Sequence, residues 1–363
     1  MISSTSSAPH SRGAASASMN SLVVESTRMF LEAAQAADCV HAQLHGNEIA
    51  LQKLGALLRT LAPRAVVTCA RGSSDHAATF ARYLIETRLG LLTASLSPSI
   101  SSVYGVQQDL RQCLLLAISQ SGRSPDLLAA VAAATAAGAT VVALVNVEDS
   151  PLAQAAHHVV PLHAGAETSV AATKSFIAAL AAITQLLAMW SNDQALLQAL
   201  MRAPEQLAQA WNLDWSPAVA LLHSSDNLFV IGRGLGLGVA QEAALKLKET
   251  CGIHAEAFSG AEVRHGPMAL LNQGVPALIF TQHDATLPGL QTLATELAQS
   301  SVPVLLAGEA TSGALQLPTL AAHAAITPML HAQSFYRVAN ALAIARGLDP
   351  DHPPRLNKVT ETV

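Results

Sequence analysis

The stretch Gln112–Ala130 joins an apolar run to a helical segment through a polar turn, and few folds admit that order. Cys113–Ile118 is apolar throughout, as expected of a strand covered on both faces of a parallel sheet. The turn reads Ser119-Gln120-Ser121-Gly122-Arg123. Ser124 then suits an N-cap, Pro125 the first helical position, and Asp126 the positive end of the helix dipole. Such a turn gathers backbone N–H and Ser O–H groups in front of a helix, which is how many proteins hold a phosphate. An ordinary strand-to-helix turn rich in Ser and Gly has the same composition, so the turn alone leaves both readings open.

The surrounding pattern is α/β. Residues 1–20 are rich in Ser, Ala and Gly and are expected to be a disordered leader, upstream of a start at Met19. Helical spacing of apolar residues predicts two helices over 21–61. Strands are expected at Ala65–Cys69, Leu91–Ser95, Cys113–Ile118, Thr140–Asn146 and His158–Leu162, with helices between them and one running to Trp190. That alternation implies a parallel sheet with right-handed crossovers. A helical linker covers 193–216, separating a first domain over 62–192 from a second over 217–346. In the second, Asn227–Ile231, Ala277–Phe280, Val304–Leu306 and Ala324–Ile326 read as strands, Val239–Glu249 and His331–Arg346 as helices. Both halves open with a strand, an Arg–Gly turn and a helix, a weak internal similarity. A Pro-rich tail, 347–363, carries Lys358.

Only 12% of the 363 residues are charged and 51% are hydrophobic, which predicts an oligomer that hides an apolar face. A net charge of −5 offers no general attraction to nucleic acid or to an anionic membrane. No apolar run reaches the length of a membrane span. Cys39, Cys69, Cys113 and Cys251 lack metal-like spacing and read as reduced thiols of a cytoplasmic protein.

Three further features bear on chemistry. Gly232-Arg233-Gly234-Leu235-Gly236-Leu237-Gly238 misses the dinucleotide spacing at Leu237, and no acidic residue follows at the right distance. Glu242, Lys246 and Glu249 form one stripe of an otherwise apolar helix. On a surface that is an ion-pair ladder; in a cleft it is a carboxylate base beside an ammonium that polarises a carbonyl. His254, Glu256, Glu262, Arg264 and His265 crowd a segment ending in His265-Gly266-Pro267, with the spacing of no standard metal site, and no metal or organic cofactor is expected.

Taken together, Ser119-Gln120-Ser121-Gly122, Glu167–Lys174, Ala244–Glu249, Ile253–Glu256, Arg264–Pro267 and Leu356–Thr360 resemble the double SIS (sugar isomerase) domain. Relatives of that kind are the isomerase half of glucosamine-6-phosphate synthase and the SIS-type glucosamine-6-phosphate deaminases. The resemblance covers about residues 28–363. It implies two tandem SIS domains, each a five-stranded parallel sheet flanked by helices in a flavodoxin-like three-layer sandwich. No Cys follows Met1, so the glutaminase half of the synthase is expected to be absent, and Arg123 makes the turn more like that of the stand-alone deaminases. The implied reaction is glucosamine 6-phosphate plus water to fructose 6-phosphate plus ammonia.

The resemblance also implies roles. Ser74, Ser119, Gln120, Ser121 and Ser124 bind the 6-phosphate. Glu249 moves a proton between C1 and C2, Lys246 assists at C2, and Glu242 supports Lys246. His265, from the neighbouring subunit of a homodimer, opens the ring, and Lys358 approaches the open-chain sugar. Ala172 stands where the synthases carry a Ser that touches the sugar. That departure keeps galactosamine 6-phosphate or fructosamine 6-phosphate open as substrates. A non-catalytic module that senses sugar phosphates needs the turn but neither the Glu/Lys stripe nor Lys358.

Overall fold

The structure, a computed structural model, describes residues 23–271 and 274–358. The expected leader, and Val359 and Thr360 of the tail, lie outside them. The first half runs α1 (Arg28–Ala34), α2 (Ala36–Leu61), β1 (Ala65–Cys69), α3 (Ser73–Leu89), β2 (Thr93–Ser95), α4 (Ser99–Ser102) and β3 (Cys113–Ser119). It continues with α5 (Pro125–Ala136), β4 (Thr140–Val145), α6 (Pro151–Ala155), β5 (His158–Pro161) and α7 (Lys174–Ser191). α8 (Gln194–Met201), α9 (Ala203–Trp211) and α10 (Ser216–Leu222) lead to the second half. There the order is β6 (Asn227–Gly232), α11 (Leu237–Cys251), β7 (His254–Ser259), α12 (Met268–Leu271) and β8 (Ala277–Phe280). α13 (Leu287–Gln299), β9 (Val304–Ala307), β10 (Leu315–Leu317) and α14 (Thr327–Ala345) complete it.

Each half builds one five-stranded parallel sheet, ordered β2-β1-β3-β4-β5 and β10-β9-β8-β6-β7. Counted from each half's first strand the two orders coincide, and both reverse direction beside the third strand. That reversal is where open α/β sheets place their ligands. β3 shows why this sequence makes a buried strand. Leu114, Leu116 and Ile118 enter a core that also takes in Val230, Phe280 and α7, whereas Leu115 and Ala117 pack toward α5 and α6. Both faces are thus apolar and covered, and one core joins the two halves.

α7 is the one described helix with the length and hydropathy to cross a membrane, and 89% of it is buried inside the protein. The glycine run Gly232–Gly238 allows close packing. A Cβ on Gly232 would stand 2.3 Å from the Gly236 carbonyl oxygen, and one on Gly238 2.6 Å from that of His76. α11 therefore lies tightly on α3 of the other half.

Two expectations need correcting. Ala324–Ile326 is not a strand but the approach to α14; its apolar side chains pack in the core from a turn. The strand beyond β9 is the short β10 instead. His254–Ser259, where no strand is expected, is β7, an edge strand that leaves His254 and Glu256 exposed.

Candidate active site

A cleft of about 360 Å³ opens at the end of the first sheet, within the usual range of small-molecule sites. Two helix N-termini converge on it. α5 begins after its N-cap Ser124, whose side chain makes no capping bond, and α3 begins after Gly72, which has a left-handed φ of 56°. Between β3 and α5 the turn is held from within. The Gly122 N–H donates to Ser119 Oγ at 2.9 Å, and Leu152 N–H donates to the Gly122 carbonyl. Ser74, Ser119, Gln120, Ser121 and Ser124 all line the cleft. Hydroxyls and N-terminal dipoles facing one point suit a dianion such as a phosphate monoester. Arg71, at the rim, forms two contacts of 2.8 and 2.7 Å to the buried Asp126 of α5, which fixes one wall to the other.

α11 supplies the opposite wall. Lys246 and Glu249 line the cleft, with Lys246 Nζ donating to a Glu249 carboxylate oxygen. Glu242 lies one turn back, beneath the cleft and only 1% exposed. Its carboxylate accepts from Ser73 Oγ (3.2 Å) and Tyr336 OH (3.1 Å), contacts His76 Nδ1 (3.0 Å), and lies 3.5 Å from Lys246 Nζ. Burial acts to raise the Glu242 pKa, but the Lys246 charge and the His76 contact outweigh it and hold the carboxylate below its ordinary range. Burial likewise opposes the Lys246 charge, and Glu242 and Glu249 overcome it and raise the ammonium's pKa. The result is a buried Glu242–Lys246 ion pair, beyond which Glu249 meets the cavity with its side chain 19% exposed. Tyr336 stays a neutral donor, pushed well up by burial and by Glu242.

The tail closes one side. Leu356, Asn357 and Lys358 line the cleft, and Lys358 Nζ donates to the Ser169 carbonyl at 2.7 Å and to Glu167 at 3.4 Å. Ala172 lines the same wall. Glu167 belongs to the Glu167–Lys174 motif, and no role follows from its place in the sequence. Its carboxylate accepts from Thr173 N–H (3.0 Å), Ser175 N–H (3.1 Å) and Ser175 Oγ (2.6 Å), and so shapes the Val170–Ala172 wall. Ser73, His76 and Tyr336 were also missed; each touches Glu242 from a segment far away in the chain, and no local spacing announces them.

His265 is exposed on the segment after β7 and does not line this chain's cleft. Among the described residues, no three His, Cys, Asp or Glu side chains gather as a metal site. Burial pushes the Cys69 thiol up to about 12 and Cys251 to about 11, so neither is an activated nucleophile.

A family model described as the SIS domain matches residues 62–189 and 221–343. The glutamine–fructose-6-phosphate aminotransferase (isomerizing) of Symbiobacterium thermophilum is 35% identical over 323 residues, which is 83% of this chain and 52% of that protein. The enzyme of the same name from Thermotoga maritima is 31% identical over 81% of this chain and 50% of its own. The chain spans about half the length of these curated relatives. Among solved structures, a candidate phosphosugar isomerase from Silicibacter pomeroyi DSS-3 has a TM-score of 0.86 and 41% identity, covering 90% of this chain and all of that one. A glucosamine-6-phosphate deaminase from Thermotoga maritima shares the fold, with a TM-score of 0.75 at 21% identity, covering 93% of this chain and all of that one. With both halves matched and the sheet topology repeated, the chain belongs to the SIS domain family.

Proposed function

We propose that this protein is an isomerising, hydrolytic aminosugar-phosphate deaminase that converts glucosamine 6-phosphate and water to fructose 6-phosphate and ammonia. One observation carries the reading: a single cleft is lined by the Ser-rich turn of one half, by Glu249 and Lys246 of the other, and by Lys358 of the tail. The 6-phosphate sits on Ser119, Gln120, Ser121 and Ser124, with Ser74 on the α3 side. The sugar carbons then extend toward α11.

His265, brought by a second copy of the chain, opens the pyranose by moving a proton between ring oxygen and O1. Its exposure on the chain's own surface accords with that role. Glu249 takes the C2 proton, which leaves an enolamine, and returns a proton to C1, which yields a ketimine at C2. Water adds to C2, the C–N bond breaks, and ammonia leaves with fructose 6-phosphate. Lys246 stabilises negative charge developing beside Glu249, and Glu242 keeps Lys246 protonated and in place. Lys358 meets the carbonyl end of the open chain. Arg123 in the phosphate turn, the feature more like stand-alone deaminases, favours the hydrolytic direction.

The test is incubation of purified protein with glucosamine 6-phosphate, following ammonia and fructose 6-phosphate together. Equal amounts of both are expected. Interconversion of aldose and ketose phosphates without ammonia would reduce the reading to a plain isomerase. No conversion of any aminosugar phosphate would overturn it.

A further inference from the structure

The cleft is closed by two segments that belong to neither sheet: the loop around Ser169 and the tail before Lys358. Both are tied to the same short helix, α1. Glu32, nearly buried on α1, accepts from Thr168 N–H (2.6 Å), Thr168 Oγ1 (2.9 Å) and Ser169 N–H (3.1 Å). Asp351 of the tail accepts from Arg28 N–H (2.7 Å) and Met29 N–H (2.8 Å) at the start of α1. Arg28 adds a 2.8 Å contact to His352. Lys358 closes the circuit by donating to the Ser169 carbonyl. Contacts therefore run from α1 through Asp351 along the tail to Lys358, then through Ser169 and Glu32 back to α1.

α1 is itself fixed. Met29 and Ala33 are in the core, and Gln333 of α14 donates to the Ala33 carbonyl. It also lies outside both matched SIS segments, as does Lys358. The phosphate turn at Ser119–Ser124 takes no part in the circuit.

We propose that α1 is a clamp that sets Lys358 over the cleft, with Glu32 and Asp351 as its positioning residues. The clamp rests on the reading of Lys358 as the amine that meets the sugar's carbonyl end. Glu32 touches no substrate; it acts by orienting the Ser169 carbonyl that receives Lys358. Because the phosphate turn stands apart, loss of the clamp should lower kcat and leave KM for the sugar phosphate nearly unchanged.

The test compares Glu32→Ala and Asp351→Asn in the full chain, each alone and with Lys358→Ala. Either single change should lower kcat about tenfold with KM within about twofold. Added to Lys358→Ala, neither should cost more than Lys358→Ala alone, since a positioning residue has nothing left to position. Arg355 is exposed with a left-handed φ of 65°, so trypsin reads the tail directly through cleavage after it. Both variants should be cut there about tenfold faster than wild type. An unchanged cleavage rate in both overturns the clamp whether or not the sugar is turned over. Turnover by wild type with kcat unchanged in both variants, or with losses additive to Lys358→Ala, also overturns it. Absence of turnover by wild type would instead defeat the functional reading. If Glu32→Ala does not fold, Asp351→Asn at the tail end of the clamp decides alone.

Discussion

The two sheets share one topology, yet their switch points have opposite contents. In the first half the turn after β3 offers Ser119, Gln120, Ser121 and Ser124 to an open cleft. In the second half the corresponding turn follows β8 and is filled by its own side chains. Asp284 accepts from Thr286 N–H at 2.8 Å and from Thr286 Oγ1, and the buried Gln282 donates to Asp284 (3.0 Å), Thr286 (2.9 Å) and the Arg233 carbonyl (2.8 Å). A carboxylate thus sits where an anion would bind. On the proposed reading one half keeps an anion site; the other fills the equivalent turn and contributes a helix, α11, to its neighbour's cleft. A duplicated scaffold can divide labour in this way because the ligand site is a matter of turn chemistry, not of topology.

The sharpest way to break that contrast is to remove the proposed base, Glu249. Glu249→Gln should lower kcat at least about 10³-fold, within the range of a lost general base, with sugar-phosphate binding retained in a competition assay. Full rate would show that the second half contributes no base. The next largest effect should be on folding. A Cβ at Gly122, with φ of 64°, would stand 2.2 Å from Ser150 Oγ, whereas at Gly234, with φ of 59°, the nearest atom is 3.2 Å away. Gly122→Ala should cost about 2–4 kcal/mol by urea denaturation and Gly234→Ala about 1 kcal/mol. Equal costs would show that the turn after β3 is packed no more tightly than the turn after β6.

Ser121→Ala and Asp284→Ala form the direct comparison. The first should raise KM about tenfold or more with little change in stability, as for a lost hydrogen bond to a charged group. The second should leave KM alone and cost about 1–2 kcal/mol of stability. A KM effect from Asp284→Ala would mean that the filled turn still takes part in binding.

The smallest effect joins the halves through Glu242, which Ser73 and His76 reach from one side and Lys246 and Tyr336 from the other. Its pKa is lower when folded than the ordinary value of 4.5, so its stabilisation is complete above that pH and is lost as pH falls through the folded value. Lys246, raised above 10.5 when folded, contributes below that pH and loses its share as pH rises through its folded value. Unfolding free energy should therefore fall on the acid side, and Glu242→Gln should flatten that slope at a cost in neutral stability. An identical acid slope in the variant would assign it to other groups.

How much of this was legible depended on how local its cause is. β3, its turn and α5 could be read because burial on both faces, N-cap preference and Pro placement act within a few residues. The Glu242–Lys246–Glu249 stripe was visible at helical spacing, but its burial depended on α3 and α14 packing over it. β7 escaped because an edge strand with one wet face carries His254 and Glu256. β10 escaped because three residues carry no periodicity. Glu32, Tyr336 and Asp351 carry no local signal at all. Glu32 meets Thr168 across 136 residues and Asp351 meets Met29 across 322, and such contacts exist only after folding.

The central claim is that one sugar phosphate is gripped at its anion by the first half and at its C1–C2 end by the second. A crystal structure of the Glu249→Gln variant with glucosamine 6-phosphate tests it most directly. The expected result is the phosphate on Ser119, Ser121 and Ser124, with C2 facing the substituted position on α11 and Lys358 beside the carbonyl end. A phosphate bound at the Gln282–Thr286 turn, or a sugar directed away from α11, would contradict it.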